Sequence, residues 1–180
     1  MFLCRLKLLN FKNYKLTDLS FSTKVVCFTG ENGAGKTNLL DSIYYLCLTK
    51  SYFNPVDFQN IRHNEDFFRI DGEISHGDLK TDLSCVVQKG KRKIMSKNSI
   101  VYQKMAEHVG QFPVVIITPD DNELISGGGE VRRRFMDNIL SQYSIEYLEH
   151  SLTYNKVLSQ RNAALKKFAE RKSADKGLLK

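Results

Sequence analysis

Cysteine is scarce and unpaired in this sequence: Cys4, Cys27, Cys47 and Cys85 lie far apart, form no CxxC pair and each sit among apolar neighbours. Thiols so placed read as buried groups of a cytoplasmic protein. No apolar run approaches the roughly 20 residues that span a bilayer, and the start MFLCRLKLL alternates apolar and polar positions where a signal peptide has a continuous apolar stretch. Membrane and secretory readings are set aside. There is no internal repeat and no low-complexity segment. With 180 residues, 42% of them apolar, the chain has one ordinary domain's worth of core and is neither a disulfide-stapled mini-protein nor a disordered tail. Uniform basic charge is also lacking. Lysine and arginine number 27 against 20 acidic residues, yet 8 of the basic ones fall between Lys156 and Lys180, beside only Glu170 and Asp175. The first 155 residues balance at 19 against 18. This localised excess argues for a basic end that meets a polyanion, or for a solvated helix, and against a basic coat.

What is present begins with alternation. Phe2, Cys4, Leu6 and Leu8 predict a first strand, interrupted at residues 10–14 and resumed as an extended pattern over 16–21. Residues 24–29, KVVCFT, form a short apolar run that stops at a glycine, the pattern of a buried strand ending in a loop. Leu39, Leu40, Ile43, Tyr44 and Cys47 then recur at helical spacing. Turn residues at Asp71-Gly72, His76-Gly77-Asp78, Lys89-Gly90 and Lys97-Asn98-Ser99 predict an antiparallel meander over 67–102, followed by a short helix ended by Gly110. Residues 113–118, PVVIIT, are a second candidate for a central buried strand. From Gly129 the signals are helical, with a break near Ser144 and an end near Arg171 or Lys172, after which residues 173–180 trail off. The expected division is 1–140 for a lobe carrying the glycine loop and 141–180 for the start of a helical second domain.

Residues 30–37, GENGAGKT, fit G-x-x-x-x-G-K-[ST] and lie between the predicted strand and the amphipathic helix, the context this pattern requires. A polyphosphate needs several donors converging on its oxygens. The glycines permit a tight loop with inward N–H groups, and the helix adds the positive end of its dipole. Gly30, Glu31, Asn32, Gly33, Ala34, Gly35, Lys36, Thr37 and Asn38 are therefore the candidate nucleotide residues. Lys36 is cast for the β- and γ-phosphates and the Thr37 hydroxyl as a Mg2+ ligand. A strand whose aspartate ends the apolar run directly is missing; in VVIITPDD a Thr-Pro pair intervenes, which reads as a Pro-initiated turn in preference to a magnesium site. A guanine-specific N-K-x-D string is absent, which favours ATP over GTP. Ser126-Gly127-Gly128 reads as a glycine-rich entry to a helix at 130–142, on which Arg132, Arg133 and Arg134 cannot all face one side.

Five segments resemble the RecF family of DNA repair ATPases, whose heads are built like those of SMC and ABC proteins: LKLLNFKNY (6–14), GENGAGKTNLLDSIYYL (30–46), IRHNEDFFRIDGEI (61–74), ITPDDNELISGGGEVRRRFMD (117–137) and LSQRNAALK (158–166). The fold this implies is α/β, the N-terminal lobe of a P-loop NTPase head with an antiparallel β meander and the start of a helical arm. The family's signature sequence, its catalytic glutamate and its D-loop belong to a C-terminal half with no counterpart here, so no catalytic residue is assigned and the chain is expected to be the N-terminal lobe alone. The resemblance places Lys12 and Asn13 near the bound nucleotide, with a lysine where many relatives carry arginine. It gives Arg62 a DNA-contacting or DNA-reporting role, against the plain reading of a surface arginine paired with Glu65 or Asp66. Lys89, Lys91, Arg92, Lys93 and Lys97 on a predicted hairpin, and six basic residues over 156–172, are the two possible DNA footprints. Phe67 and Phe68 read as core.

The resemblance further implies ATP and Mg2+ as cofactors and an ATP-dependent homodimer that clamps double-stranded DNA beside single-strand gaps. RecR and RecO are its implied partners in recombinase loading, in a cytoplasmic repair, replication and SOS-response setting. Two rivals stay open: a P-loop kinase of a small metabolite, with Arg132 to Arg134 as a lid, and an adaptor that uses nucleotide only to fold.

Overall fold

A computed structural model describes residues 1–171 of the chain. The opening alternation becomes strand β1 (Phe2–Phe11), which buries Leu6 and Leu8 on one face and leaves Arg5 and Lys7 on the other. It is followed by β2 (Tyr14–Ser20), β3 (Phe67–His76), β4 (Leu79–Gln88), β5 (Ile94–Lys97) and β6 (Ile100–Val101). Together they form one sheet in the order β2-β1-β3-β4-β5-β6 with every pairing antiparallel. Three of the four turns the sequence marks are turns; Asp71-Gly72 instead lies inside β3, paired with Ser84 and Leu83, and the glycine there serves packing. Gly77, at φ +61°, closes the β3–β4 hairpin, and Asn98 and Ser99, at φ +49° and +67°, close β5–β6 in the doubly left-handed form that matches strand twist.

Helix α1 (Lys36–Leu48) covers one face of this sheet. Tyr45, Leu46 and Leu48 meet Leu6, Leu8, Phe11, Phe68, Ile70 and Leu83 in a single buried cluster. Phe11, Tyr45 and Phe68 pack edge to face with centroids 5.1–6.1 Å apart. Gly72 lets the helix close on β3, since a Cβ there would stand 2.3 Å from Leu46 Cδ2. The opposite face is polar, as an antiparallel sheet permits. It carries the pairs Arg5–Asp18 (2.6 Å), Arg69–Asp71 (2.7 Å) and Lys80–Glu73 (2.8 Å).

The two apolar runs depart from expectation. Residues 24–29 and 113–118 are not strands of the sheet and are not buried as blocks. Phe28, Val114 and Ile116 pack against the core, whereas Val25 and Ile117 are 85% and 83% exposed. A short apolar run becomes a central strand only where neighbouring strands flank it, and the six strands described here form a separate, antiparallel sheet. The reading of the thiols is corrected too: Cys47 and Cys85 are buried, with burial pushing each up to about 12, but Cys4 in β1 is half-buried and Cys27, in the unpaired run at 24–29, is exposed.

His108 follows a 3-10 turn at Met105–Glu107 and is fully buried between the rings of Tyr102 and Phe112. Its Nε2 lies 2.8 Å from the Leu46 carbonyl, so that nitrogen carries the proton of a neutral ring. Burial lowers its pKa below the ordinary value, the Leu46 bond opposing. The unfolded chain then takes up the proton more readily, and the stability His108 contributes is present above pH about 6.5 and lost as pH falls through the folded-state value. The thermal midpoint is expected to fall more steeply from pH 7 to 5 in the parent chain than in His108→Gln; parallel profiles would remove His108 as the cause.

The chain divides at Asp121, and a helical unit begins at Asn122. It contains a single turn α2 (Glu123–Ser126), α3 (Gly129–Tyr143) and α4 (Ile145–Arg171). The break at Ser144 is a cap: its Oγ accepts from Tyr147 N at 3.2 Å, and its own N donates to Leu140 O at 2.9 Å. Tyr147 donates its hydroxyl to Asp137 Oδ1, tying α4 to α3. Arg132 donates to the Gly127 carbonyl (2.8 Å), Arg134 pairs with Glu130 (3.2 Å), and the arginines thus diverge as helical spacing requires.

Candidate nucleotide-binding site

Residues 30–37 run from the irregular segment 24–29 into the first turn of α1. Gly33 and Gly35 stand at φ +82° and +105°, where any L side chain is strained. At Gly35 space is closed as well, since a Cβ would lie 2.2 Å from Asn13 Nδ2. Gly35 is the N-cap of α1, without a side-chain cap bond and without an acidic residue in the first turn. The positive end of the helix dipole is therefore left for an external anion. Lys36 Nζ turns back to the carbonyls of Gly30 (2.8 Å) and Glu31 (2.7 Å), which places the ammonium at the loop mouth. Glu31, Asn32, Ala34 and Thr37 are exposed around it.

The Thr37 hydroxyl fits a magnesium ion as one hard oxygen in an exposed first turn, a cation that takes few protein ligands and completes its shell with phosphate and water. Among the described residues no cluster of three His, Cys, Asp or Glu could hold a metal by itself. The acidic candidates of VVIITPDD sit in a 3-10 turn, Pro119–Asn122. Asp121 there accepts from Thr118 N and from Tyr52 Oη (2.9 Å), and these bonds, the backbone one foremost, hold its carboxyl below the usual range.

The tip of the β1–β2 hairpin, Lys12 and Asn13, rests on the loop. Asn13 Nδ2 donates to the Ala34 carbonyl (3.2 Å), Asn13 Oδ1 accepts from Asn38 Nδ2 (2.8 Å), and Tyr14 Oη donates to the Gly35 carbonyl (3.2 Å). Lys12 points away from the loop. Its Nζ lies 2.6 Å from Asp41 Oδ2 and 5.6 Å from the centroids of both Phe11 and Phe53. Asp41 has no exposed surface and also accepts from Ser51 Oγ (2.6 Å) and Tyr52 N (2.7 Å). Arg62 is directed at the same tip, donating through Nη1 to the Asn13 carbonyl, while its backbone N donates to Asn10 O (2.9 Å).

The structure thus gathers the loop, Asn38 and Asn13, with Arg62 on the Asn13 carbonyl, whereas the Lys12 ammonium is turned to Asp41. It does not bring Lys91, Arg92 and Lys93 to them. Lys93 is inside, donating to Asp57 Oδ2 (2.8 Å), to the Thr49 carbonyl and toward Tyr45 Oη (3.3 Å), at the far end of α1, roughly 18 Å of helix from the loop. Arg92 donates to the Gln103 carbonyl (2.7 Å), Lys89 to the Glu65 carbonyl (2.6 Å) and Lys97 to Gln111 Oε1 (2.8 Å), while Lys91 is exposed. A concavity of about 550 Å³ on the open sheet face, lined by Arg5, Lys7, Arg69, Asp71 and Glu73, mixes both charges and does not adjoin the loop.

Asp41, Tyr14 and Ser51 were not picked out by pattern. Asp41 carried a signal all the same, for Asp41, Tyr44, Tyr45 and Leu48 fall at i, i+3, i+4 and i+7, so a carboxylate stands on the buried stripe and must have partners.

A family model described as AAA domain matches residues 5–179. The DNA replication and repair protein RecF of Flavobacterium johnsoniae is 47% identical over 94% of this chain and 47% of its own length. That of Bacteroides thetaiotaomicron is 46% identical over 92% of the chain and 45% of its own length. The chain spans about half the length of the curated relatives it matches. Among solved structures, the recombination mediator protein RecF of the RecFOR pathway, described as RecF-ATPrS, superposes with a TM-score of 0.90 and 30% identity, covering 99% of this chain and 48% of that one. A structure from work on SMC ATPases, at TM-score 0.61 and 18% identity over 77% of this chain and 99% of that one, shares the fold.

Proposed function

Because the chain belongs to the AAA domain family and matches the N-terminal half of RecF proteins, we propose that it is the nucleotide-holding lobe of a RecF-type DNA replication and repair ATPase. The observation that carries this reading is the loop at 30–37, with left-handed glycines, Lys36 at its mouth and an uncompensated helix N-terminus behind it. ATP lays its phosphates against the loop amides and Lys36, and Thr37 offers its hydroxyl to Mg2+. The magnesium, when bound, neutralises phosphate charge. The absence of an N-K-x-D string supports adenine over guanine.

In the assembled protein two heads close on ATP, the loop of one facing a signature sequence of the other. The closed dimer holds double-stranded DNA beside a single-strand gap and works with RecR and RecO to load recombinase. ATP drives closure only through tighter binding to the closed state. The exposed basic residues of α4, Lys156, Arg161, Lys166 and Lys167, suit a sequence-independent phosphate contact, and Lys91 on the β4–β5 turn is a separate candidate. This chain alone is expected to bind ATP without turning it over, since the signature sequence and catalytic glutamate that the resemblance implies have no counterpart in these residues. Release of radiolabelled phosphate by the purified chain tests this. Less than one phosphate per chain is expected, and repeated turnover would contradict it.

A further inference from the structure

The hairpin tip does more than lie near the loop. A trans peptide holds its C=O and N–H in one plane, pointing in opposite directions, so whatever pins the carbonyl also aims the amide. Two successive loop peptides are pinned from the same hairpin. Asn13 Nδ2 holds the Ala34 carbonyl (3.2 Å), and that peptide's N–H belongs to Gly35. Tyr14 Oη holds the Gly35 carbonyl (3.2 Å), and that peptide's N–H belongs to Lys36. Neither amide serves the helix, whose first bond runs from Leu39 N to Gly35 O at 3.0 Å.

The Asn13 carboxamide has one productive orientation. Its oxygen is taken by Asn38 Nδ2 (2.8 Å), which leaves the amide nitrogen toward Ala34. The tip is itself held from behind at three points: Lys12 N to Asn60 O (2.8 Å), Lys12 Nζ to the buried Asp41 (2.6 Å), and Arg62 Nη1 to the Asn13 carbonyl.

We propose that the β1–β2 hairpin tip is a clamp that presets the phosphate-binding amides of Gly35 and Lys36, with Asn13 and Tyr14 as positioning residues and Lys12, Asp41 and Arg62 as their supports. The proposal rests on the reading of residues 30–37 as a polyphosphate site. It assigns Lys12 and Arg62 work at this clamp, apart from any contact with phosphate or DNA. A group that acts by aiming amides serves every ligand with a phosphate chain, whereas a group touching base or ribose serves only nucleotides.

The test compares ATP with inorganic tripolyphosphate, each titrated by calorimetry into the parent chain, Asn13→Ala, Asn13→Asp and Tyr14→Phe. Asn13→Asp keeps the shape but cannot donate to Ala34. Both Asn13 variants are expected to weaken ATP and tripolyphosphate equally, by about tenfold, equivalent to about 1.4 kcal/mol, and Tyr14→Phe by less. Their thermal midpoints without ligand should stay close to the parent, because Asn13 is exposed. A loss seen with ATP alone would make Asn13 a base or ribose contact and overturn the clamp, as would unchanged affinities or full rescue by aspartate. A parent chain that binds neither ligand would instead overturn the polyphosphate site itself.

Discussion

Lys36→Ala is expected to weaken ATP binding by at least a hundredfold, about 2.7 kcal/mol or more, while leaving the fold intact. The ammonium is the only side-chain cation that the structure places at the loop mouth among the described residues, held by the Gly30 and Glu31 carbonyls at 2.8 and 2.7 Å. Those bonds are solvent-exposed, so their loss should cost unfolding stability less than about 1 kcal/mol. Phosphate oxygens compete well for the ammonium because a carbonyl carries only a partial charge and a triphosphate several full ones. Calorimetric titration paired with a urea unfolding curve separates the two effects. Equal ATP affinity in the variant would refute the assignment of the loop, and a collapsed unfolding curve would show that Lys36 is structural.

The second large effect is expected at the opposite side of the hairpin tip. Lys12→Met removes the cation from a carboxylate with no exposed surface, in a pair whose lysine side chain is itself 15% exposed. Removing one member of such a pair costs about 3–5 kcal/mol, because the charge left behind stays buried. Ser51 Oγ and Tyr52 N remain on Asp41 and soften the loss toward the lower end. Converting both members, Lys12→Met with Asp41→Leu, should recover only part of it, since the stranded charge is gone but Ser51 Oγ and Tyr52 N lose their acceptor. Urea midpoints of the single and double variants measure this. A loss below about 1 kcal/mol for Lys12→Met would mean that water screens the pair.

The sequence was most informative where local chemistry decides structure. The meander followed from turn residues with forced backbone geometry, Gly77, Asn98 and Ser99 among them, and the loop from glycines that only a tight phosphate cradle requires. The break at Ser144 was legible because a serine N-cap is a local device. The runs at 24–29 and 113–118 misled because apolar content reports a wish for burial and carries no information about which strands are at hand to provide it. Lys12 was legible as important and illegible in direction. Its partner, Asp41, lies 29 residues away, and only the fold reveals that the side chain turns from the loop to the helix. Lys93 made the same point in reverse, since a lysine on a hairpin looks solvated until Asp57 and Thr49 are seen to enclose it.

Main-chain amides gathered to receive a chain of phosphates define the site, and amide resonances report on them one by one. In a ¹⁵N-labelled sample titrated with ATP and Mg2+, the largest shifts are expected at Gly33, Gly35, Lys36 and Thr37, with Asn13 following and the β4–β5 turn unmoved. Saturating ATP that leaves these four amides where they were, or moves a different set, would contradict this assignment.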